Sequence, residues 1–167
     1  RPIVLFQAQP RNNVDSTTYE KIKNTLIDGG ISEKEIAIKT GDKDELKNVD
    51  LLSPDCPIRY IITVNALKEG WDCPFAYVLA TVANRTSTVD VEQILGRVLR
   101  LPYTQKNSSE VLNLSYVITS SADFHQTLKK VVVGLNSAGF SNRDYRLAEP
   151  VEPVKPAPVP EQLSIIE

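Results

Sequence analysis

Two stretches of this chain hold side chains whose types and spacing could do phosphate chemistry. The first is Gln93-Ile94-Leu95-Gly96-Arg97-Val98-Leu99-Arg100, preceded by Ser87 and Thr88 as cap candidates and by Asp90 where a first helical turn would begin. The pattern predicts an amphipathic helix. Val91, Ile94, Leu95, Val98 and Leu101 form its apolar stripe, which leaves Gln93, Gly96, Arg97 and Arg100 together on the other side at spacings of three and four. A glycine inside a helix costs about 1 kcal/mol relative to alanine, and close approach of another backbone or a phosphate is a reason to accept that cost at Gly96. Each arginine offers a rigid, permanently charged fork that fits phosphate oxygens and can stabilise charge spread over a transferring phosphoryl group. Spacing alone also fits a solvated helix face held by salt bridges.

The second stretch is Thr63-Val64-Asn65-Ala66-Leu67-Lys68-Glu69-Gly70-Trp71-Asp72-Cys73-Pro74, which runs off the end of a strand-like segment, Arg59 to Val64. Ligands of parallel α/β sheets gather at the carboxyl ends of strands, so the Thr63 hydroxyl and the Asp72 carboxylate fall where a ligand could reach them. Asp72 suits a ribose hydroxyl. The alternative is structural: Gly70 sets a turn, Asp72 caps it, Pro74 ends it and Trp71 is buried.

The elements that must position these residues are legible as alternating runs. Four β-rich segments, at Ile3 to Phe6, Glu35 to Lys39, Arg59 to Val64 and Tyr77 to Val82, are separated in several places by helical patterns, which favours a parallel α/β sheet with helices on both faces. Thr17 and Glu20 predict a capping box, Tyr19, Ile22 and Leu26 share one helix face, and Gly29-Gly30 ends that helix. A later strand is predicted at Leu112 to Ile118, then a second helix with Phe124, Leu128, Val131 and Leu135 at the 3.6-residue period until Gly139. One domain is therefore expected over residues 1–140. Five of the eleven prolines fall between Pro150 and Pro160, so residues 141–167 are expected to form an extended Pro-rich tail or linker.

Composition narrows the function classes. Lys+Arg 19 against Asp+Glu 21 gives a net charge of -2, so any groove for nucleic acid must come from local placement of charge. Cys56, Cys73 and the single His125 show no metal-type spacing, and two cysteines make no disulfide framework, so a thiol-reduced cytoplasmic protein without a bound metal is expected. No apolar run approaches the ~18 residues of a membrane span. Arg1 leads straight into the first strand pattern, as in a piece of a longer polypeptide. No glycine precedes a lysine, so a phosphate-cradling Gly-Lys-Ser/Thr loop is missing, and the only Asp-Glu pair, Asp44-Glu45, sits in a polar segment instead of ending an apolar strand. Cys73 and His125 lack the partners of a nucleophile, and Lys129-Lys130 reads as a solvated helix edge.

Taken together, the two stretches resemble, in order and separation, the fifth and sixth motifs of superfamily 2 helicases. Thr63 to Pro74 is similar to the Thr-then-Gly-x-Asp-x-Pro pattern and Gln93 to Arg100 to the Gln-x-x-Gly-Arg-x-x-Arg pattern. Ile3-Val4-Leu5-Phe6-Gln7 stands where the fourth motif would, and Thr40-Gly41-Asp42 resembles the short Gly-containing turn of the family. The wording of Gly70-Trp71-Asp72-Cys73-Pro74 and Gly96-Arg97-Val98-Leu99-Arg100-Leu101-Pro102 is most similar to the restriction (Res) subunit of type III restriction-modification enzymes. Val98-Leu99 replaces the commoner Thr-Gly, and Trp71 fills a slot often held by a smaller apolar residue.

The resemblance implies the second of two RecA-like domains that face each other across an ATP site. It implies that Arg97 and Arg100 reach the γ-phosphate, that Gln93 senses the nucleotide, and that Gly70 and Asp72 meet the ribose side, with Gly96 allowing close approach of the nucleotide. Thr63, Asn65, Gln7, Thr40 and Gly41 would touch the DNA backbone, which fixes register without reading bases. The cofactors implied are ATP and Mg²⁺, the ion being held by the first RecA-like domain. The partners implied are DNA, that first domain and a modification (methyltransferase) subunit. The same residues leave room for a repair-type superfamily 2 helicase, or for a nucleotide-independent interaction module on a decayed RecA-like fold.

Overall fold

A computed structural model describes residues 2–11, 17–64, 75–82 and 107–119, and the single positions Gln126, Lys129 and Val132. Five strands, β1 (Ile3–Gln7), β2 (Ile36–Lys39), β3 (Tyr60–Thr63), β4 (Ala76–Thr81) and β5 (Tyr116–Thr119), form one sheet in the order β2-β3-β1-β4-β5. Every pairing is parallel. The expected α/β class holds, and the wholly parallel sheet is consistent with a RecA-like fold.

Strand alternation divides the side chains between two cores. On one face Ile3 and Leu5 of β1, Ala37 of β2, Ile61 of β3 and Leu79 of β4 pack with Leu46, Leu51, Cys56 and Ile58 from the β2–β3 connection. Among the described residues that connection is a chain of turns, and no α-helix covers this face. On the other face Ile36, Ile62 and Ala8 pack with Ile22 of helix α1 (Tyr19–Asp28), together with Phe6, Tyr19, Leu26 and Ile31. The α1 side of the far edge stays open, where Tyr116 and Ile118 of β5 are exposed.

Helix α1 starts one residue later than the capping box predicts. Thr18 is the N-cap, with its hydroxyl accepting from the Lys21 N–H at 3.5 Å. Thr17 is instead committed through its backbone, its N–H donating to Gln9 Oε1 at 2.8 Å and its carbonyl accepting from the Gln9 N–H at 2.9 Å. Glu20 still serves the cap: the Thr18 hydroxyl holds its carboxyl below the ordinary value. The C-terminus closes as the glycine pair predicts. Gly30 has φ 89°, its N–H donates to Ile27 O, and the Ile31 N–H donates to Leu26 O, so two terminal carbonyls are satisfied in a Schellman arrangement. Leu26 and Ile31 both join the α1-side core, which supplies the apolar contact that accompanies this motif.

The strand expected at Leu112 to Ile118 is shorter. Glu110–Asn113 form a 3-10 turn and β5 begins at Tyr116. The Asn113 side chain explains the shift, since its Oδ1 accepts from the Asn107 N–H at 2.7 Å and its Nδ2 donates to the Asn107 carbonyl at 2.9 Å, which locks a turn where the apolar pattern suggests extension. Of the second predicted helix, Gln126, Lys129 and Val132 are helical, and Gln126 and Lys129 are exposed, as a solvated edge requires. The remaining positions of that helix, and the tail expected over 141–167, lie outside the described residues.

Edge strand β2 carries its own protection. Glu45 donates its N–H to the Ile38 carbonyl at 3.0 Å and accepts the Ile38 N–H on Oε2 at 2.8 Å, so one residue occupies both outward polar groups of Ile38. An exposed edge with those groups free would be a template for another strand.

Candidate functional site

The carboxyl ends of all five strands meet in one register row. Lys39 of β2 is paired with Thr63 of β3, Thr63 with Gln7 of β1, Gln7 with Thr81 of β4, and Thr81 with Thr119 of β5. All five side chains fall on the face that holds the Leu5, Ile61 and Leu79 core, two residues beyond it along each strand. The sheet therefore changes from an apolar row to a polar row at the edge where parallel sheets bind ligands. Gln7, Thr63 and Thr81 are the buried polar residues among those described, each at 1% exposure or less.

Burial of an amide and two hydroxyls requires hydrogen bonds. The Thr81 hydroxyl donates to Gln7 Oε1 at 2.9 Å. At the β2 end of the row, Lys39 forms an ion pair with Asp44, whose carboxyl is held below its ordinary value chiefly by that lysine. The turn that follows is internally bonded: the Thr40 N–H donates to the Lys43 carbonyl at 2.7 Å, and the Thr40 hydroxyl accepts from the Lys43 N–H at 3.0 Å. Gly41 is exposed at its tip, and a Cβ added there would meet nothing within 4 Å, so no steric demand for glycine exists at that position.

Beyond the row, Gln9 ties two strand ends together. Its Nε2 donates to the Val82 carbonyl at 2.8 Å, while Oε1 accepts from the Thr17 N–H at 2.8 Å. The Val82 N–H donates in turn to the Gln7 carbonyl at 3.0 Å, and the Ala8 N–H donates to the Thr63 carbonyl at 2.8 Å. On the α1 side of the same edge lies a cleft of about 330 Å³ bounded by Phe6, Ile22, Leu26, Ala80, Val82 and Ile118. It is mostly apolar, although Lys21 and Thr25 of α1 and Thr81 and Thr119 of the polar row also line it.

No protein-family model and no curated protein matches this chain.

Of the residues singled out by sequence, Gln7 and Thr63 are neighbours in the row, and Thr40 and Gly41 follow its β2 end. Both Gln7 and Thr63 are closed to solvent in this conformation, and Gln7 ties the end of β1 to that of β4 by accepting the Thr81 hydroxyl. Asn65, Gly70, Asp72, Gln93, Gly96, Arg97 and Arg100 lie outside the described residues. The structure adds Thr81 and Gln9, which sequence reasoning passed over. Thr81 sits in an apolar run where only strand pairing shows that it faces Gln7, and Gln9 has partners 8 and 73 residues away. Among the described residues no group of three or more His, Cys, Asp or Glu side chains is placed to hold a metal ion, and no helix is long and apolar enough to cross a membrane.

Proposed function

We propose that this chain is the second motor domain of an ATP-dependent DNA translocase or helicase, in the restriction subunit of a type III restriction enzyme. It contributes the arginines of an ATP site whose phosphate loop and Mg²⁺-holding carboxylates stand on another domain. The observation that supports this reading best is the common edge. β3 ends at Thr63, directly before the segment with Asn65, Gly70 and Asp72, and β4 ends at Thr81, before the segment with Gln93, Gly96, Arg97 and Arg100. Gln7 stands between those two strand ends in the register. The two chemistry-bearing stretches, 19 residues apart between Pro74 and Gln93, thus follow strands that end on one edge of the sheet with β1 between them, the edge where parallel sheets bind ligands.

In this reading Arg97 and Arg100 neutralise charge on the transferring γ-phosphoryl group, Gln93 senses the nucleotide, Gly70 and Asp72 meet the ribose, and Asn65 contacts the DNA backbone. A repair-type helicase shares all of these assignments. The test is Arg97→Lys and Arg100→Lys in the complete polypeptide that carries both halves of the ATP site. Lysine keeps the charge but not the planar fork. ATP turnover should fall on the order of 10³- to 10⁵-fold while nucleotide binding changes far less. Normal DNA-stimulated turnover in both variants would make these arginines ordinary surface charges and overturn the assignment.

A further inference from the structure

Strand β2 is an edge of the sheet, and the cover on that edge is held by surface residues. Glu45 accepts the Ile38 N–H on Oε2 at 2.8 Å and donates its own N–H to the Ile38 carbonyl at 3.0 Å. Glu45 is exposed and belongs to neither core. The rest of the turn is pinned by Lys39 and Asp44, which form an antiparallel bridge and an ion pair, and by the Thr40 N–H on the Lys43 carbonyl at 2.7 Å. Residues 40–45 thus lie along β2 where a further strand would pair.

The strand beneath reads Glu35-Ile36-Ala37-Ile38-Lys39, symmetric about Ala37 except that its two ends carry opposite charges. A second copy laid antiparallel about Ala37 sets Ile36 against Ile38 and Glu35 against Lys39, each twice. Backbone alternation turns Ile36 outward together with Ile38, so both Ile36–Ile38 pairs fall at hydrogen-bonding positions. Each Ile38 N–H then meets the Ile36 carbonyl of the other copy, while the Ile36 N–H stays on the Glu33 carbonyl of its own 3-10 turn. Glu35 and Lys39 fall at the alternate positions, where side chains approach most closely, and opposite charges there favour the pairing. A register shifted by one residue would set Ile38 against Ala37, whose backbone faces β3, and would lose both features. We propose that β2 is a self-pairing edge, through which two copies of this chain join antiparallel about a two-fold axis at Ala37 when Glu45 leaves Ile38. Glu45 is the residue that keeps this edge shut. The proposal does not rest on the motor reading.

Sedimentation velocity of the full chain over a concentration series tests each part. The unaltered chain and Glu45→Gln, whose amide oxygen can still accept the Ile38 N–H, should run as monomers. Glu45→Ala, which removes that acceptor, should dimerise at concentrations on the order of tenfold lower than either. Within Glu45→Ala, adding Lys39→Glu makes both end pairs repulsive and should weaken the dimer on the order of tenfold. Adding Glu35→Lys as well restores opposite charges in exchanged places and should recover it. Lys39→Glu also breaks the ion pair with Asp44, so if release of the cover alone governed association, it would strengthen the dimer instead. A monomeric Glu45→Ala, undiminished dimerisation with Lys39→Glu, or no recovery on charge exchange would each overturn the proposal. Equal dimerisation of Glu45→Gln and Glu45→Ala would overturn the part given to Glu45. Loss of the fold in Glu45→Ala, read by circular dichroism, would overturn it too, because a cover that can leave must be dispensable to the sheet.

Discussion

The bond between Thr81 and Gln7 offers the sharpest test of the polar row, because its environment fixes the sign of each effect. The Thr81 hydroxyl donates to Gln7 Oε1 at 2.9 Å, and both residues are at 1% exposure, so solvent does not reach them to replace a lost partner. Thr81→Val changes shape very little but leaves the Gln7 carbonyl oxygen buried without this donor, which should cost about 1–3 kcal/mol. Gln7→Leu removes the acceptor of the Thr81 hydroxyl and should cost a similar amount. The double variant replaces both groups by apolar ones of similar shape, and such exchanges can be nearly neutral relative to breaking one side alone. The two effects should therefore be strongly non-additive, with a coupling of about 1–2 kcal/mol. Urea titrations of the four proteins, followed by circular dichroism and fitted with a common slope, measure this cycle directly. If the single effects simply add, the amide and hydroxyl are each satisfied independently, and the row is not the bonded, closed layer described above. A cost below about 0.5 kcal/mol for Thr81→Val would refute the burial argument itself, since that is the size of a surface substitution.

Three further outcomes follow from local geometry. Thr18→Ala should cost about 1 kcal/mol as a lost N-cap, whereas Thr17→Ala should cost much less, because Thr17 acts through its backbone; thermal midpoints separate the two. Gly30→Ala should destabilise by roughly 1 kcal/mol through the φ of 89° alone, because the added Cβ meets no atom within 4 Å; chemical denaturation measures it. The Glu45 carboxyl is held below its ordinary value: burial pushes it up, but the Lys43 ammonium at 2.9 Å and the Ile38 N–H outweigh that. Its contribution to stability is thus present above the ordinary glutamate value and lost as pH falls through the lowered one, so Glu45→Gln should reduce the loss of stability on acidification below the ordinary glutamate range, read from unfolding at fixed pH steps.

The sequence sets the alternation of elements for a physical reason: largely apolar runs such as Ile3 to Phe6 and Arg59 to Val64 suit burial on both faces, which a parallel sheet under flanking layers provides. It also determined the α1 terminus, since a Gly-Gly pair permits the left-handed residue that the closing turn needs. Its errors were local competitions that composition does not resolve. Thr17 and Thr18 are equally good caps as residue types, and Gln9, eight residues upstream, decided between them by claiming the Thr17 backbone. Asn113 stopped an apolar run from extending because Asn107 lay within reach of its side chain. The phosphate chemistry of Arg97 and Arg100 was legible only as residue type and spacing, and those residues lie outside the described part of the chain. The row from Lys39 through Thr63, Gln7 and Thr81 to Thr119 exists only once the strands have paired. Register across strands is a long-range property: a shift of one residue in β4 would turn the Thr81 side chain to the opposite face, and nothing within β4 itself forbids it.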